Sequence, residues 1–331
     1  MRVVGNNIRL HGPSFSGAEE PFLVAGIPHS VKLTRSQLPE FVISPSDIMA
    51  LISASFIESY GLVMNTFYEL EPAYADYSKS NGFSYWNVGP VSLCRRSFEI
   101  LSARGGRSAG TEVFGWLDGK EAGSVLYVCF GSLPRFTMAQ FGLIRDGLKA
   151  AGRPFVWVVR DDPATEGILA AGGEEGGFVI KGWAPQVAIL MHEAVGGFMT
   201  HCGWNSCLEG IAAGVPMVTW PLFADQCFNE RLLVDVLDLA VDVGSTVNSL
   251  REEERTLVVA ERVTAAVEAI MGEGAEAEGR RERAKLMRKL AEAAVAEGGS
   301  SEVGLGLMVE ELVALKIART KEATETRAIS A

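Results

Sequence analysis

The sequence predicts an α/β protein in two parts, the second of them a doubly wound parallel sheet. Three observations carry that expectation. The 331 residues are 48% hydrophobic and only 21% charged, enough apolar surface for about two cores. Through the second half, short runs rich in β-branched and aromatic residues alternate with helix-like stretches, the pattern of βαβ units. Between Gly89 and Thr111, VGPVSLCRRSFEILSARGGRSAG is rich in Gly, Ser and Arg and keeps no period, which marks a linker.

In chain order the predicted strands are Ser124–Phe130, Pro154–Val159, Phe178–Trp183, Val195–Thr200, Pro216–Trp220 and Leu239–Val243. Between the first two, Met138, Phe141, Ile144 and Leu148 recur at three- and four-residue steps, which lays one apolar helix face on the sheet. From about Leu250 charged helix formers take over, in REEERTLVVAERVTAAVEAIMGEG and GRRERAKLMRKLAEAAVAEGG, and read as solvated helices with i,i+4 pairs. The closing KEATETRAISA reads as a frayed end. The domains expected are residues 1–110 with the linker, residues 111–303, and a C-terminal helix and tail over 304–331.

A net charge of −11 opposes partners with a phosphate backbone or an anionic membrane surface, both of which attract basic patches. Cys94, Cys129, Cys202, Cys207 and Cys227 are odd in number and hold no CxxC pair, so they read as reduced thiols with no metal site. The opening MRVVGNNIRLHGPS lacks a basic segment followed by an apolar one, and no stretch approaches the ~18 apolar residues of a membrane span. A cytoplasmic location is the expectation.

Chemistry concentrates in one block, WAPQVAILMHEAVGGFMTHCGWNSCLEGIAAGVPMVTWPLFADQ, from Trp183 to Gln226. In open parallel sheets the binding crevice lies beyond the carboxyl ends of the strands. The strand VGGFMT leads into His201, Cys202, Gly203, Trp204, Asn205 and Ser206 and then a helix, so a glycine turn opens onto a helix N-terminus, a place for a diphosphate. His201, Asn205 and Ser206 can add side-chain hydrogen bonds. Glu209, four residues beyond Asn205, shares its helix face and can accept both hydroxyls of a ribose. Trp183, at a strand end, can stack on a pyrimidine. Singly, Asn205 or Ser206 reads as an N-cap, Glu209 as a surface residue and Trp183 as core. Together, in this order, they point to one binding crevice.

The block resembles the nucleotide-sugar box of plant UDP-glycosyltransferases, family-1 enzymes of the GT-B fold, over its full span. The resemblance implies two Rossmann-like domains and an uracil platform at Trp183, with Ala184 and Gln186 addressing base and ribose. It also implies hexose contacts from Asp225 and Gln226, with a terminal Gln pointing to UDP-glucose. WLDGKEAGSVLYVCFGS is similar to the same family and implies a phosphate contact at Ser132, beside Gly131. GIPHSVKLTRSQLPEF, GLVMNTFYELEPAYADY and VGPVSLC resemble the later part of the family's acceptor domain.

The resemblance implies further that transfer needs a histidine base near the start of the acceptor domain, held by an aspartate. The histidines here are His11, His29, His192 and His201, and none stands in that context. No catalytic residue is therefore assigned, and the expectation is an N-terminally truncated member with an intact donor domain. Three functions follow. The first is inverting transfer of glucose from UDP-glucose to a hydroxyl of a small hydrophobic acceptor such as a flavonoid, another phenolic or a plant hormone. The second is a nucleotide-sugar-binding pseudoenzyme, and the third a fragment without activity. No metal or cofactor is expected, the UDP-sugar being a co-substrate.

Overall fold

The structure, a computed structural model, describes Ile8, Gly17 and residues 19–43, 51–52, 54–55, 58–80, 84–93, 112–133, 135–161 and 176–329. The first part holds an antiparallel pair, β1 (Phe22–Leu23) with β2 (Lys32–Leu33), then the short α1 (Glu40–Ile43). A parallel pair follows, β3 (Leu62–Met64) beside β4 (Tyr85–Asn87), joined through α2 (Pro72–Ser80) in a βαβ unit. Val24, Val31, Leu33, Leu38 and Val42 form a small core that closes on Cys227 and Phe228 of the second part.

The second part runs α3 (Glu112–Leu117), β5 (Val125–Cys129), α4 (Met138–Ala150), β6 (Phe155–Val159), β7 (Gly177–Lys181), α5 (Gln186–Leu190) and β8 (Val195–Thr200). It continues through α6 (Trp204–Ala213), β9 (Met217–Thr219), α7 (Gln226–Arg231), β10 (Ala240–Asp242), α8 (Ala260–Met271), α9 (Ala275–Val295) and α10 (Ser300–Ile329). Its six strands are all parallel, in the order β10-β9-β8-β5-β6-β7. The chain builds outward from β5 to β7, crosses back, and builds outward again from β8. The order reverses between β5 and β8, the switch point where such sheets bind ligands.

Strands buried on both faces read as unbroken apolar runs, and β5 is one. Val125 and Tyr127 pack on one face with Phe198, Leu208, Ile211 and Ala284, while Leu126 and Val128 pack on the other with Phe141, Ile144, Val263 and Val267. One layer is thus α6 and α9, the other α4 and α8. Ala277, Ala284 and Ala291 are buried at seven-residue spacing along α9, small side chains that let the helix sit close to the core.

Each predicted strand is present, most of them a residue or two shorter than expected. The exception that matters is β7, which ends at Lys181; Gly182 then takes φ 85°, so Trp183 stands in the loop beyond the strand rather than closing it. On α4, Phe141, Ile144 and Leu148 are buried as expected, but Met138, in the first turn, is exposed. Helix α10 is continuous from Ser300 to Ile329, across residue 303 and through most of the stretch expected to fray. Residues 94–111 of the linker, with Cys94, lie outside the described residues, as does His11. Among the described residues no helix is long and apolar enough to cross a membrane.

Candidate functional site

Beyond the carboxyl ends of β5, β6 and β7 opens a cavity of about 700 Å³. Ser132, Trp183, Ala184, Gln186 and Glu209 all line it. Trp183 is 49% exposed, its indole free on the cavity side of the loop that Gly182 creates. An exposed flat ring at the mouth of a concave site is a stacking platform.

Gln186, at the start of α5, ties this wall together. Its Nε2 donates to Glu209 Oε2 at 2.7 Å and to Ser206 Oγ at 3.0 Å, and its Oε1 accepts from the Tyr127 hydroxyl at 3.4 Å. Burial pushes the Glu209 carboxyl up from its ordinary range while the Gln186 amide holds it down. Glu209, which lines the cavity, keeps Oε1 free of the Gln186 amide and so able to accept a further hydrogen bond. Ser206 accepts from Gln186 and retains its own hydroxyl proton to donate.

The turn from β8 into α6 adjoins this wall through Ser206, which Gln186 bonds, and through His201, which packs on Gly131. Cys202 takes φ 62°, a left-handed conformation unusual for a residue with a side chain. It is held there by Asn229 of α7, whose Nδ2 donates to the Cys202 carbonyl at 2.8 Å and to Asp225 Oδ2 at 3.0 Å. Gly203, and neither Asn205 nor Ser206, occupies the N-cap of α6 and offers no side-chain cap. The first intrahelical bond there runs from the Cys207 N–H to the Gly203 carbonyl. The N–H groups of the first turn are left for an anion.

His201 packs between two glycines. A Cβ on Gly131 would lie 2.8 Å from its Cε1, and one on Gly203 would lie 2.5 Å from its Nε2. Gly131 also takes φ 78°, so both the space and the backbone there require glycine. His201 Nδ1 is buried without a partner, and burial lowers the imidazole to about 4. The ring is therefore neutral near pH 7 and brings β5 and β8 loops into contact, with one N–H to donate.

Three of the expected residues have side-chain groups engaged within the protein. The indole N–H of Trp204 donates to the Asn65 carbonyl at 2.7 Å, so that proton is taken within the protein. Asn205 is likewise engaged, its Oδ1 accepting from Asn65 Nδ2 at 3.2 Å. Gln226 is buried, with Oε1 accepting from the Leu222 and Phe223 N–H groups at 2.8 and 3.0 Å. Its carbonyl oxygen fixes the loop before α7.

Arg135, Phe136, Arg160, Asp161 and Glu252 also line the cavity, and the sequence reading passed over them. Arg160 donates to the Leu133 carbonyl at 3.1 Å and so joins the loops after β6 and β5. That an Arg directly follows the buried run FVWVV at a strand end was the available signal.

Among the described residues, His29 and His192 also stand apart from the cavity lining. His29 leans on Tyr74, ring centroids 5.4 Å apart. His192 pairs with Asp118 at 3.2 Å and accepts from the Ala194 N–H at Nδ1, so Nε2 carries the proton toward the carboxylate. This pair lies before β8, at the end of the sheet opposite the cavity. Among the described residues no three His, Cys, Asp or Glu side chains converge as a metal site.

Comparison with known proteins matches residues 106–256 to the family model described as UDP-glucoronosyl and UDP-glucosyl transferase. A scopoletin glucosyltransferase of Nicotiana tabacum is 43% identical, over 93% of this chain and 67% of its own length. The crystal structure of Glycyrrhiza uralensis UGT73P12 with glycyrrhetinic acid 3-O-monoglucuronide superposes with a TM-score of 0.91 at 36% identity, over 99% of this chain and 70% of that one. Phytolacca americana UGT2, solved with UDP-2-fluoro-glucose and pterostilbene, gives a TM-score of 0.75 at 27% identity, over 93% and 69%. The chain spans about two thirds of the length of these relatives. Their GT-B architecture accounts for both the six-stranded sheet and the smaller βαβ unit beside it, and on sequence and fold together the chain belongs to the plant UDP-glycosyltransferase family.

Proposed function

We propose that this chain binds UDP-glucose across the β5/β8 switch point. The uracil stacks on Trp183, the ribose hydroxyls bond to Glu209 and Gln186, and the diphosphate lies on the first turn of α6 beside His201, Asn205, Ser206 and Ser132. The glucose lies toward Asp225 and Gln226. The observation that supports this reading is that an exposed indole, Trp183, and a half-buried carboxylate, Glu209, line one crevice together with Ser132 and Gln186, from segments up to 77 residues apart in sequence (Ser132 to Glu209).

The transfer chemistry that fits is attack by an acceptor hydroxyl on the anomeric carbon, with cleavage of the bond to the UDP oxygen and inversion. The acceptor class we propose is a small aromatic alcohol, by analogy with the scopoletin and pterostilbene named for two relatives. A base must take the acceptor's proton. His201, held near 4, is too weak for that task at neutral pH, and His192 faces the other end of the sheet. We therefore propose that these residues hold the donor, and we assign the base to none of the described histidines.

Calorimetric titration with UDP and UDP-glucose, beside a Trp183→Ala, His201→Ala and Glu209→Ala triple variant, tests the reading, followed by an acceptor screen. Binding lost in the variant is the expected result. Absence of binding by the unsubstituted chain would overturn the donor site.

A further inference from the structure

Asn65 lies in the first part of the chain, directly after β3, yet every polar group of its side chain is committed. Its Oδ1 accepts the Val91 N–H at 3.0 Å, and its Nδ2 donates to Asn205 Oδ1 at 3.2 Å. Its backbone carbonyl accepts the Trp204 indole N–H at 2.7 Å. Asn65 thus contacts both of the first two residues of α6 from across the molecule. The site around it is tight: a Cβ on Gly89 would collide with Asn65 Oδ1 and come within 2.8 Å of the Thr66 N. Ser301 of α10 holds the Gly89 carbonyl at 2.6 Å from the other side.

The chain of donors has one consistent direction. A backbone N–H can only donate, so Val91 fixes which end of the Asn65 amide is oxygen. The other end, Nδ2, must then meet an acceptor, and this fixes Asn205 with Oδ1 toward Asn65. The end of Asn205 left over is its NH2. An amide with two faces could otherwise present either a carbonyl or an NH2 at the mouth of α6, and only the NH2 is attractive to an anion.

We infer that Asn65 is a positioning residue for the donor diphosphate: by bonding Asn205 Oδ1 it sets the Asn205 amide so that N–H groups, and not a carbonyl, face the phosphate oxygens. The inference rests on the donor-binding reading above. It also makes the first part of the chain a contributor to donor affinity without any contact to the donor.

The test is a double-variant cycle read by titration with UDP and with uridine, which shares the base and ribose but lacks the diphosphate. In Asn65→Asp the carboxylate accepts from the Asn205 NH2 and turns that amide over. Asn65→Ala only frees it. UDP binding in Asn65→Asp should be about tenfold weaker than in Asn65→Ala, the loss of a hydrogen bond to a charged oxygen, with uridine binding unchanged in both. An added negative charge alone would also weaken UDP, so both substitutions are repeated in an Asn205→Ala background. There the gap between Asp and Ala should shrink to the charge effect. Val91→Pro removes the fixing N–H while leaving Asn65 in place, at the first position of a short helical turn where proline is tolerated; it should weaken UDP and spare uridine, and it stands in should Asn65→Asp lose uridine binding. An equal Asp-to-Ala gap in both backgrounds overturns the inference and leaves the donor reading intact. Failure of the unsubstituted chain to bind UDP overturns both.

Discussion

Gln186 and Glu209 meet at 2.7 Å from different helices, and between them they form one wall of the cavity. The amide is the first residue of α5 and the carboxylate the sixth of α6, so the bond also fixes the two helices to each other. If Glu209 accepts ribose hydroxyls, Glu209→Gln should weaken UDP and uridine alike, by about tenfold or more, as expected for lost hydrogen bonds to a charged group. Titration of both ligands checks this. An effect on UDP with none on uridine would place the carboxylate near the phosphates instead.

Trp183→Ala removes the stacking platform and should cost about 1–3 kcal/mol of binding, roughly five- to 150-fold in Kd for UDP. The exposed indole adds little to the core, so the melting temperature should hold within a degree or two. Trp183→Phe, still a flat ring, should recover part of the affinity. A Phe variant as weak as Ala would argue against stacking.

Gly203→Ala forces a methyl toward His201 Nε2, where only 2.5 Å is available. The ring must leave its place beside Gly131, carrying its donor with it. Diphosphate affinity should fall by at least about tenfold while uridine binds normally, since one charge-assisted bond is worth about 1.5–3 kcal/mol. Normal UDP affinity in a folded Gly203→Ala protein would remove His201 from the diphosphate site.

Stability against pH should expose two buried groups that oppose each other. Glu230 is 1% exposed, and burial raises its carboxyl to about 7 despite the Arg231 guanidinium at 2.8 Å and the Thr219 hydroxyl at 2.7 Å. The native state keeps a proton there that the unfolded chain releases above about 4.5, so this contribution is lost as pH rises toward 7. His201, lowered to about 4, does the reverse: the unfolded chain binds a proton below about 6.5 that the native state refuses, so stability is lost as pH falls. Each effect amounts to roughly 3 kcal/mol at full extent. Between about pH 4.5 and 6.5 they offset, and the melting temperature should change little on their account. Glu230→Gln should then melt progressively lower as pH falls through this window, and His201→Asn progressively higher. Parallel pH profiles for the two variants would sink the account.

The strands were legible because a sheet covered on both faces leaves its signature in local composition: SVLYVCF and PFVWVV need no partner to be read. So was the glycine turn that leads from β8 into a helix. What could not be read was direction. Nothing around Gln226 tells whether its amide faces ligand or loop; that depends on the Leu222 and Phe223 N–H groups, which turn toward Gln226 only once the segment before α7 bends. Trp204 looked like part of the donor site from its neighbours, but its indole N–H is taken by a carbonyl 139 residues away. Asn65 was invisible for the same reason. Its partners are set by tertiary contact, and a lone Asn after a strand carries no local pattern.

The sheet's uniform polarity has a practical bearing on how proton-relay residues are sought. His192 and Asp118, 3.2 Å apart with the ring tautomer fixed by a backbone amide, satisfy every distance criterion for a histidine–carboxylate couple. All six strands point away from that pair, so the cavity-lining loops and the couple sit at opposite ends of the sheet. Strand direction, available from topology alone, discriminates where interatomic distance does not.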